Sequence, residues 1–105
     1  MAVTLTNDTD FQELIRSNDK VIVKYHADWC GQCKLFAGKY KRLSKDARFE
    51  GVAFLDVDAE GNPEARQLAG VNNLPFFATF RAGQLVEAED TAKEDKVVAM
   101  LENIL

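Results

Sequence analysis

Short apolar runs rich in β-branched residues alternate with amphipathic stretches along this chain, and that alternation restricts it to a layered α/β architecture. Val3 to Leu5 reads as an edge strand ahead of Asn7 and Asp8, both good N-cap types. A first helix follows, with Phe11, Leu14 and Ile15 on one face and Asp10 and Glu13 at capping-box spacing. Val21 to Tyr25 is a second strand. From Cys33 onward, Phe36, Tyr40, Leu43 and Ala47 recur in steps of three and four, which predicts one buried helical face. Val52 to Val57 is a further strand. Asn62 and Pro63 then mark an N-cap and a first helical position, and the short helix they open stops at Gly70. Phe76 to Phe80 and Leu85 to Ala88 pair as a hairpin through Ala82-Gly83. Thr91 and Glu94 have capping-box spacing before a last helix whose inner stripe is Val97, Val98, Leu101 and Ile104. The order β-α-β-α-β-α-β-β-α describes a central mixed sheet covered by helices.

A length of 105 residues with 47% hydrophobic content suits one domain, residues 1–105, with its own core, and no Pro/Gly/Ser-rich stretch suggests a linker. The net charge of -4 argues against nucleic acid and acidic membranes as partners, since neither attracts an acidic surface. No apolar run approaches the length of a bilayer span. The first ten residues lack the basic and long apolar regions of a secretory signal, which leads to the expectation of a cytoplasmic protein.

Both cysteines fall in the run Trp29-Cys30-Gly31-Gln32-Cys33-Lys34. When such a pair opens a helix, the first sulfur sits beside unpaired backbone N–H groups and the positive end of the helix dipole, which favours a thiolate. The second lies about one turn on, within reach of a disulfide, so one helix terminus can accept and release two electrons. Two other readings compete with this one. A structural zinc site usually needs four Cys or His ligands, and beyond this pair the chain offers only His26. A purely structural disulfide over so small a loop would constrain the unfolded chain weakly.

The Trp-Cys-Gly-x-Cys-Lys run, the downstream Leu74-Pro75 and the order of elements together resemble the thioredoxin family over nearly the whole chain. The resemblance implies a five-stranded sheet flanked by four helices, with Cys30 exposed at the start of the second helix and Cys33 more buried. It implies a cis Leu74–Pro75 bond against the disulfide, where the backbone of a target chain pairs. Trp29, Gly31 and Gln32, with Leu74 and Pro75, would form the rim that a target meets. The implied chemistry is two thiol–disulfide exchanges: Cys30 attacks a target disulfide as thiolate, and Cys33 resolves the mixed disulfide. No bound metal or organic cofactor is implied beyond the Cys30–Cys33 couple. The implied partners are disulfide-containing proteins and a thioredoxin reductase, with the chain acting as a monomer.

Several positions depart from the family pattern. Gln32 stands where proline is usual between the cysteines, which restores an N–H near the helix start; a couple more oxidising than a typical thioredoxin is expected. Gly38 replaces a proline that commonly bends the second helix. Six residues before Cys30 the family usually buries an aspartate that helps to deprotonate the second cysteine, accompanied by a lysine on the neighbouring strand. Here those positions hold Lys24 and Phe54. Phe54, Asp56 and Asp58 share one face of their strand, so Lys24 is expected to pair with Asp56 beneath Cys33, stabilising its thiolate or accepting its proton. The opposing expectation is that Lys24 snorkels outward and Asp56 is solvated. His26, four residues before Cys30, reads as a packing or surface residue, with influence on Cys30 only if it lies near the sulfurs. Lys34 reads as a solvated lysine and Glu87, Glu89 and Asp90 as solvated surface.

The reading favoured on these grounds is a protein-disulfide oxidoreductase that reduces target disulfides. The alternatives are a thioredoxin-fold interaction module without turnover and a more oxidising, oxidase- or isomerase-like variant.

Overall fold

The computed structural model describes residues 2–105. Five strands form one sheet: β1 (Val3–Thr6), β2 (Lys20–His26), β3 (Val52–Asp58), β4 (Phe76–Arg81) and β5 (Gln84–Asp90), in the spatial order β1-β3-β2-β4-β5. The pairs β1/β3 and β2/β3 are parallel, while β2/β4 and β4/β5 are antiparallel. Four helices cover it: α1 (Asp8–Ser17), α2 (Gly31–Ser44), α3 (Pro63–Ala69) and α4 (Glu94–Glu102), with a 3-10 turn at Ala47–Phe49. This is the expected mixed α/β fold of five strands and four helices, and the order of elements is the one read from the sequence.

The pleat of β2 explains how the two layers form. Val21, Val23 and Tyr25 face one side and pack with Phe11 and Ile15 of α1 and Ala65 and Ala69 of α3. Ile22 faces the other side and packs with Phe36, Tyr40 and Leu43 of α2 and Val97, Met100 and Leu101 of α4. A strand covered on both faces carries an almost continuous apolar run, which is how β2 reads. Lys24 is the exception, 3% exposed on the α2 face.

Tyr40 ties that face to the sheet. Its phenol bridges the carbonyls of Leu55 (2.7 Å) and Ile22 (3.1 Å), joining α2 to β3 and β2 at once. Burial pushes its pKa well above the ordinary tyrosine value, so it remains a hydrogen donor. Tyr25 does the same on the opposite face, donating to Ala65 O at 2.8 Å, with burial and then the charge of Asp8 raising its pKa.

The helix ends depart from several expectations. Asn7 caps α1 by accepting from Asp10 N–H at 3.2 Å, which makes Asp10 the third helical residue rather than a cap, and Glu13 pairs with Arg16 instead of closing a box. Asn62 precedes Pro63 as expected but makes no cap bond of its own. The first turn of α3 is satisfied from a distance, since Asp8 accepts from Ala65 N–H (2.9 Å) and Glu64 N–H (3.1 Å), while Asn62 Oδ1 accepts from Asp8 N–H (2.8 Å). The Thr91/Glu94 box does not form, because α4 begins at Glu94 and Thr91 Oγ1 accepts from Lys93 N–H. The buried stripe of α2 ends at Leu43; Ala47 is exposed in the 3-10 turn, and Phe49 fills the core there. In α4, Met100 joins the inner face and Val98 is only partly buried.

The turns that close α3 and join β4 to β5 both use the left-handed backbone region. Gly70 ends α3 at φ +68°, and Ala82-Gly83 join β4 to β5 at φ +53° and +80°, the pair of positive angles that a tight hairpin requires. Gly38, by contrast, lies inside the continuous α2, where an added Cβ would meet nothing within 4 Å. Among the described residues no helix is long and apolar enough to cross a membrane.

Candidate active site

Strand β2 delivers the chain to the end of the sheet, and α2 begins five residues later. Cys30 is the N-cap of α2, and its sulfur accepts from Cys33 N–H at 3.1 Å, taking the place of the usual capping oxygen. Cys30 and Cys33 are joined by a disulfide with their Cα atoms 5.3 Å apart. The bond lies where the helix dipole and the free N–H groups of the first turn favour negative charge on sulfur once it is reduced.

The exposure expected for Cys30 is not met in this oxidised form: Cys30 is 4% exposed and Cys33 2%. The disulfide folds the Cys30 sulfur onto the first helical turn, and Ala27 and Leu74 pack against the pair. Leu74 precedes Pro75 through a cis bond, as expected, and Pro75 is buried. The Leu74 N–H donates to Asn73 Oδ1 at 3.0 Å, and Asn73 Nδ2 reaches Asp90 at 3.1 Å, so the turn before Pro75 is latched to β5. Trp29, Gly31 and Gln32 are exposed around the disulfide. Trp29 is held by its indole N–H, which donates to Glu60 Oε2 at 2.7 Å across 31 positions of sequence. Nothing in the local sequence pointed to Glu60, because the contact depends on how the loop after β3 folds back.

Beneath Cys33 the structure brings Lys24 and Asp56 together, in direct register on neighbouring strands, with Nζ 3.5 Å from Oδ2. Their side chains are 4% and 20% exposed, so Lys24 does not snorkel outward and Asp56 is not freely solvated. Lys24 Nζ also lies 5.5 Å from the centroid of the Tyr40 ring, a further partner for its charge. Phe54 packs against Tyr40 with ring centroids 5.3 Å apart, filling the family's lysine position with an aromatic. A cleft of about 200 Å³ is lined by Lys24, His26, Ala27, Asp28, Cys33, Lys34, Ala37 and Asp56. The cysteine expected to resolve the exchange and the buried ion pair therefore share one cleft.

His26 is a member of this site and not a packing residue. Its Nδ1 lies 2.6 Å from Asp56 Oδ1, leaving Oδ2 to Lys24. The sequence signal was present, because His26 falls on the same face of β2 as Lys24. What it lacked was the reach of the side chain back from its register partner Asp58 to Asp56. Among the described residues no three His, Cys, Asp or Glu side chains form a group able to hold a metal ion.

The thioredoxin family model matches residues 2–103. A chloroplastic F-type thioredoxin of Brassica napus is 36% identical over 105 residues, covering 95% of this chain and 56% of its own. A mitochondrial thioredoxin-3 of Saccharomyces cerevisiae is 33% identical over 82 residues, covering 78% of this chain and 63% of its own. A solved complex of ferredoxin:thioredoxin reductase and thioredoxin f2 contains a chain that superposes with a TM-score of 0.89 at 26% identity, covering 97% of this chain and 94% of that one. The chain belongs to the thioredoxin family, and its two cysteines, Cys30 and Cys33, form a disulfide at the start of α2. It spans little more than half to under two thirds of the length of these two curated relatives.

The two donors on Asp56 make the pair asymmetric. Removing the carboxylate by Asp56→Ala strands a buried ammonium and is expected to cost about 3 kcal/mol of stability. Lys24→Met keeps the apolar stem and leaves Asp56 bound to His26, so it should cost less than about 1 kcal/mol. Denaturant unfolding of the two variants checks the order.

Proposed function

We propose that this protein reduces disulfides in target proteins through the Cys30–Cys33 dithiol. The observation that carries the reading is the placement of Cys30 at the N-cap of α2, with its sulfur already accepting a backbone N–H. A thiolate there attacks one target sulfur; the Cys30–target bond forms, the target disulfide breaks, and its other sulfur leaves with the electron pair. Cys33 then loses its proton and attacks Cys30 sulfur. The Cys30–Cys33 bond forms and the target leaves with both sulfurs reduced, so the protein ends two electrons oxidised.

The same reading extends to partners and place. A thioredoxin f2 is seen with ferredoxin:thioredoxin reductase among the similar structures, which supports recycling of this chain by a thioredoxin reductase. Its targets are disulfide-bearing proteins, engaged by a monomer along the rim of Trp29, Gly31, Gln32, Leu74 and Pro75. A reducing compartment suits a dithiol kept ready for use, and the cytoplasm is the simplest one. Turnover of a disulfide-bonded model protein tests the activity. The Cys33→Ser chain is expected to stop at trapped mixed disulfides and Cys30→Ser to lose activity; partner binding that persists without both cysteines would instead support an interaction module.

Lys24 supplies positive charge to the cleft that Cys33 enters, and we assign it the stabilisation of the Cys33 thiolate. In a Cys30→Ser chain, where Cys33 is the only thiol, Lys24→Met should raise the thiol titration by about one pH unit. Ultraviolet thiolate absorbance reads this, and an unchanged titration removes Lys24 from the mechanism.

Gln32 adds an N–H to the first turn of α2 that proline would lack, which favours the Cys30 thiolate and with it the reduced pair. Equilibration with glutathione is expected to give a potential above the roughly -270 mV of a typical thioredoxin. Gln32→Pro should lower it; a value at or below that figure for the unmodified chain contradicts the role given to Gln32.

A further inference from the structure

Asp56 is held by two donors of different kinds. Lys24 Nζ lies 3.5 Å from Oδ2 and is almost sealed off, its side chain 4% exposed. His26 Nδ1 lies 2.6 Å from Oδ1, and its side chain is 22% exposed. Among the described residues the imidazole is thus the donor on Asp56 that also reaches solvent. An ionised carboxylate only accepts hydrogen bonds, so Nδ1 carries the hydrogen and Nε2 is left with the lone pair in the neutral ring. His26 and Cys33 line the same cleft, where Lys24, Asp28, Lys34 and Asp56 add polar groups and a volume of about 200 Å³ leaves room for water.

We propose that His26, oriented by Asp56, carries the proton of Cys33 from the cleft to solvent during the second exchange step. This rests on the thiol–disulfide reading above and supplies that step with its proton route. The S–H bond of Cys33 breaks and the proton passes through water to Nε2. The electron pair left on sulfur forms the bond to Cys30 sulfur. The pair of the broken Cys30–target bond leaves on the target sulfur, which takes a proton from solvent, and His26 then returns its own proton to solvent. Lys24 in its ion pair has no lone pair to offer and almost no exposed edge, so it fixes Asp56 and the local charge while His26 moves the proton.

The charged and titratable groups around His26 come from every neighbouring element: Lys24 on β2, Asp56 and Asp58 on β3, Asp28 in the following loop, and Cys33 and Lys34 on α2. Asp58 is the register partner of His26, but its Oδ1 accepts from Glu60 N–H at 2.9 Å. Asp56 is therefore the carboxylate that sets the tautomer.

His26→Asn keeps a donor near the position of Nδ1 and removes the accepting nitrogen. Single-turnover resolution of the mixed disulfide, followed across pH, separates a proton-transfer role from a structural one. The variant should be about tenfold slower near pH 7. Its rate should converge on that of the unmodified chain below about pH 5, where an imidazole is already protonated, and above about pH 9, where thiols ionise unaided. A deficit of constant size at all pH values, or no deficit, overturns the proposal. A second measurement uses the unmodified chain: the His26 ring resonances should show, in the reduced protein, a titration step that tracks Cys33 and is missing from the disulfide form. Identical curves in the two forms overturn the proposal as well. This comparison needs no turnover, so a chain that fails to reduce any protein disulfide refutes the functional reading while the resonances still decide the role of His26.

Discussion

The burial of β2 on both faces is the constraint from which the rest of the structure follows. A strand in the middle of a sheet, paired with β3 on one side and β4 on the other, has no backbone groups to spare and no face to give to water. Its side chains must satisfy two separate cores, and they do so by strict alternation. Where it ends, the backbone leaves the sheet at one fixed place, and Cys30 begins α2 within four residues of the last strand position. The redox pair inherits its position from that exit. Tyr40 then locks α2 down by bonding to carbonyls of β2 and β3, which holds the helix that carries both sulfurs.

A cation inside such a strand needs a partner, since an unpaired buried ammonium costs several kcal/mol. Lys24 finds it in Asp56, directly across the β2/β3 register, and gains a second contact from the Tyr40 ring. The polarity of strand and partner is the reverse of the family pattern, with the basic residue on β2 and the acid on β3. The exchange is not a simple swap, because the family's lysine position is taken by Phe54 and the acid lies two residues further on. That displacement brings the carboxylate toward the open end of the sheet, where His26 reaches it.

Much of this was legible from spacing alone. Periodic patterns together with the turn and cap residues placed the five strands and four α-helices, and face-sharing on two strands was enough to match Lys24 with Asp56. The errors cluster where an outcome depended on a helix end. Capping boxes at Asp10/Glu13 and Thr91/Glu94 did not form because the helices start a residue or more away from where those pairs require. The cap of α3 came from Asp8, more than fifty positions earlier, which no local pattern can signal. The stripe on α2 ran out at Leu43 because a 3-10 turn redirects the chain before Ala47. His26 lies on the right face but reads as a packing or surface residue, because a single residue cannot announce which neighbour it will meet.

The sequence by itself determined the fold class through the order of its elements, and the cysteine pair and the faces on which the charged residues lie through spacing within single elements. Tertiary structure decided which of those groups share a cleft. The β2/β3 register set Lys24 opposite Asp56, the packing of α2 brought Cys33 over them, and the end of β2 let His26 turn back onto the same carboxylate. The disulfide and Leu74 together buried a cysteine that the family resemblance implied would be exposed. Such contacts join residues far apart in the chain, and only the closing of the sheet and its helices brings them within bonding distance.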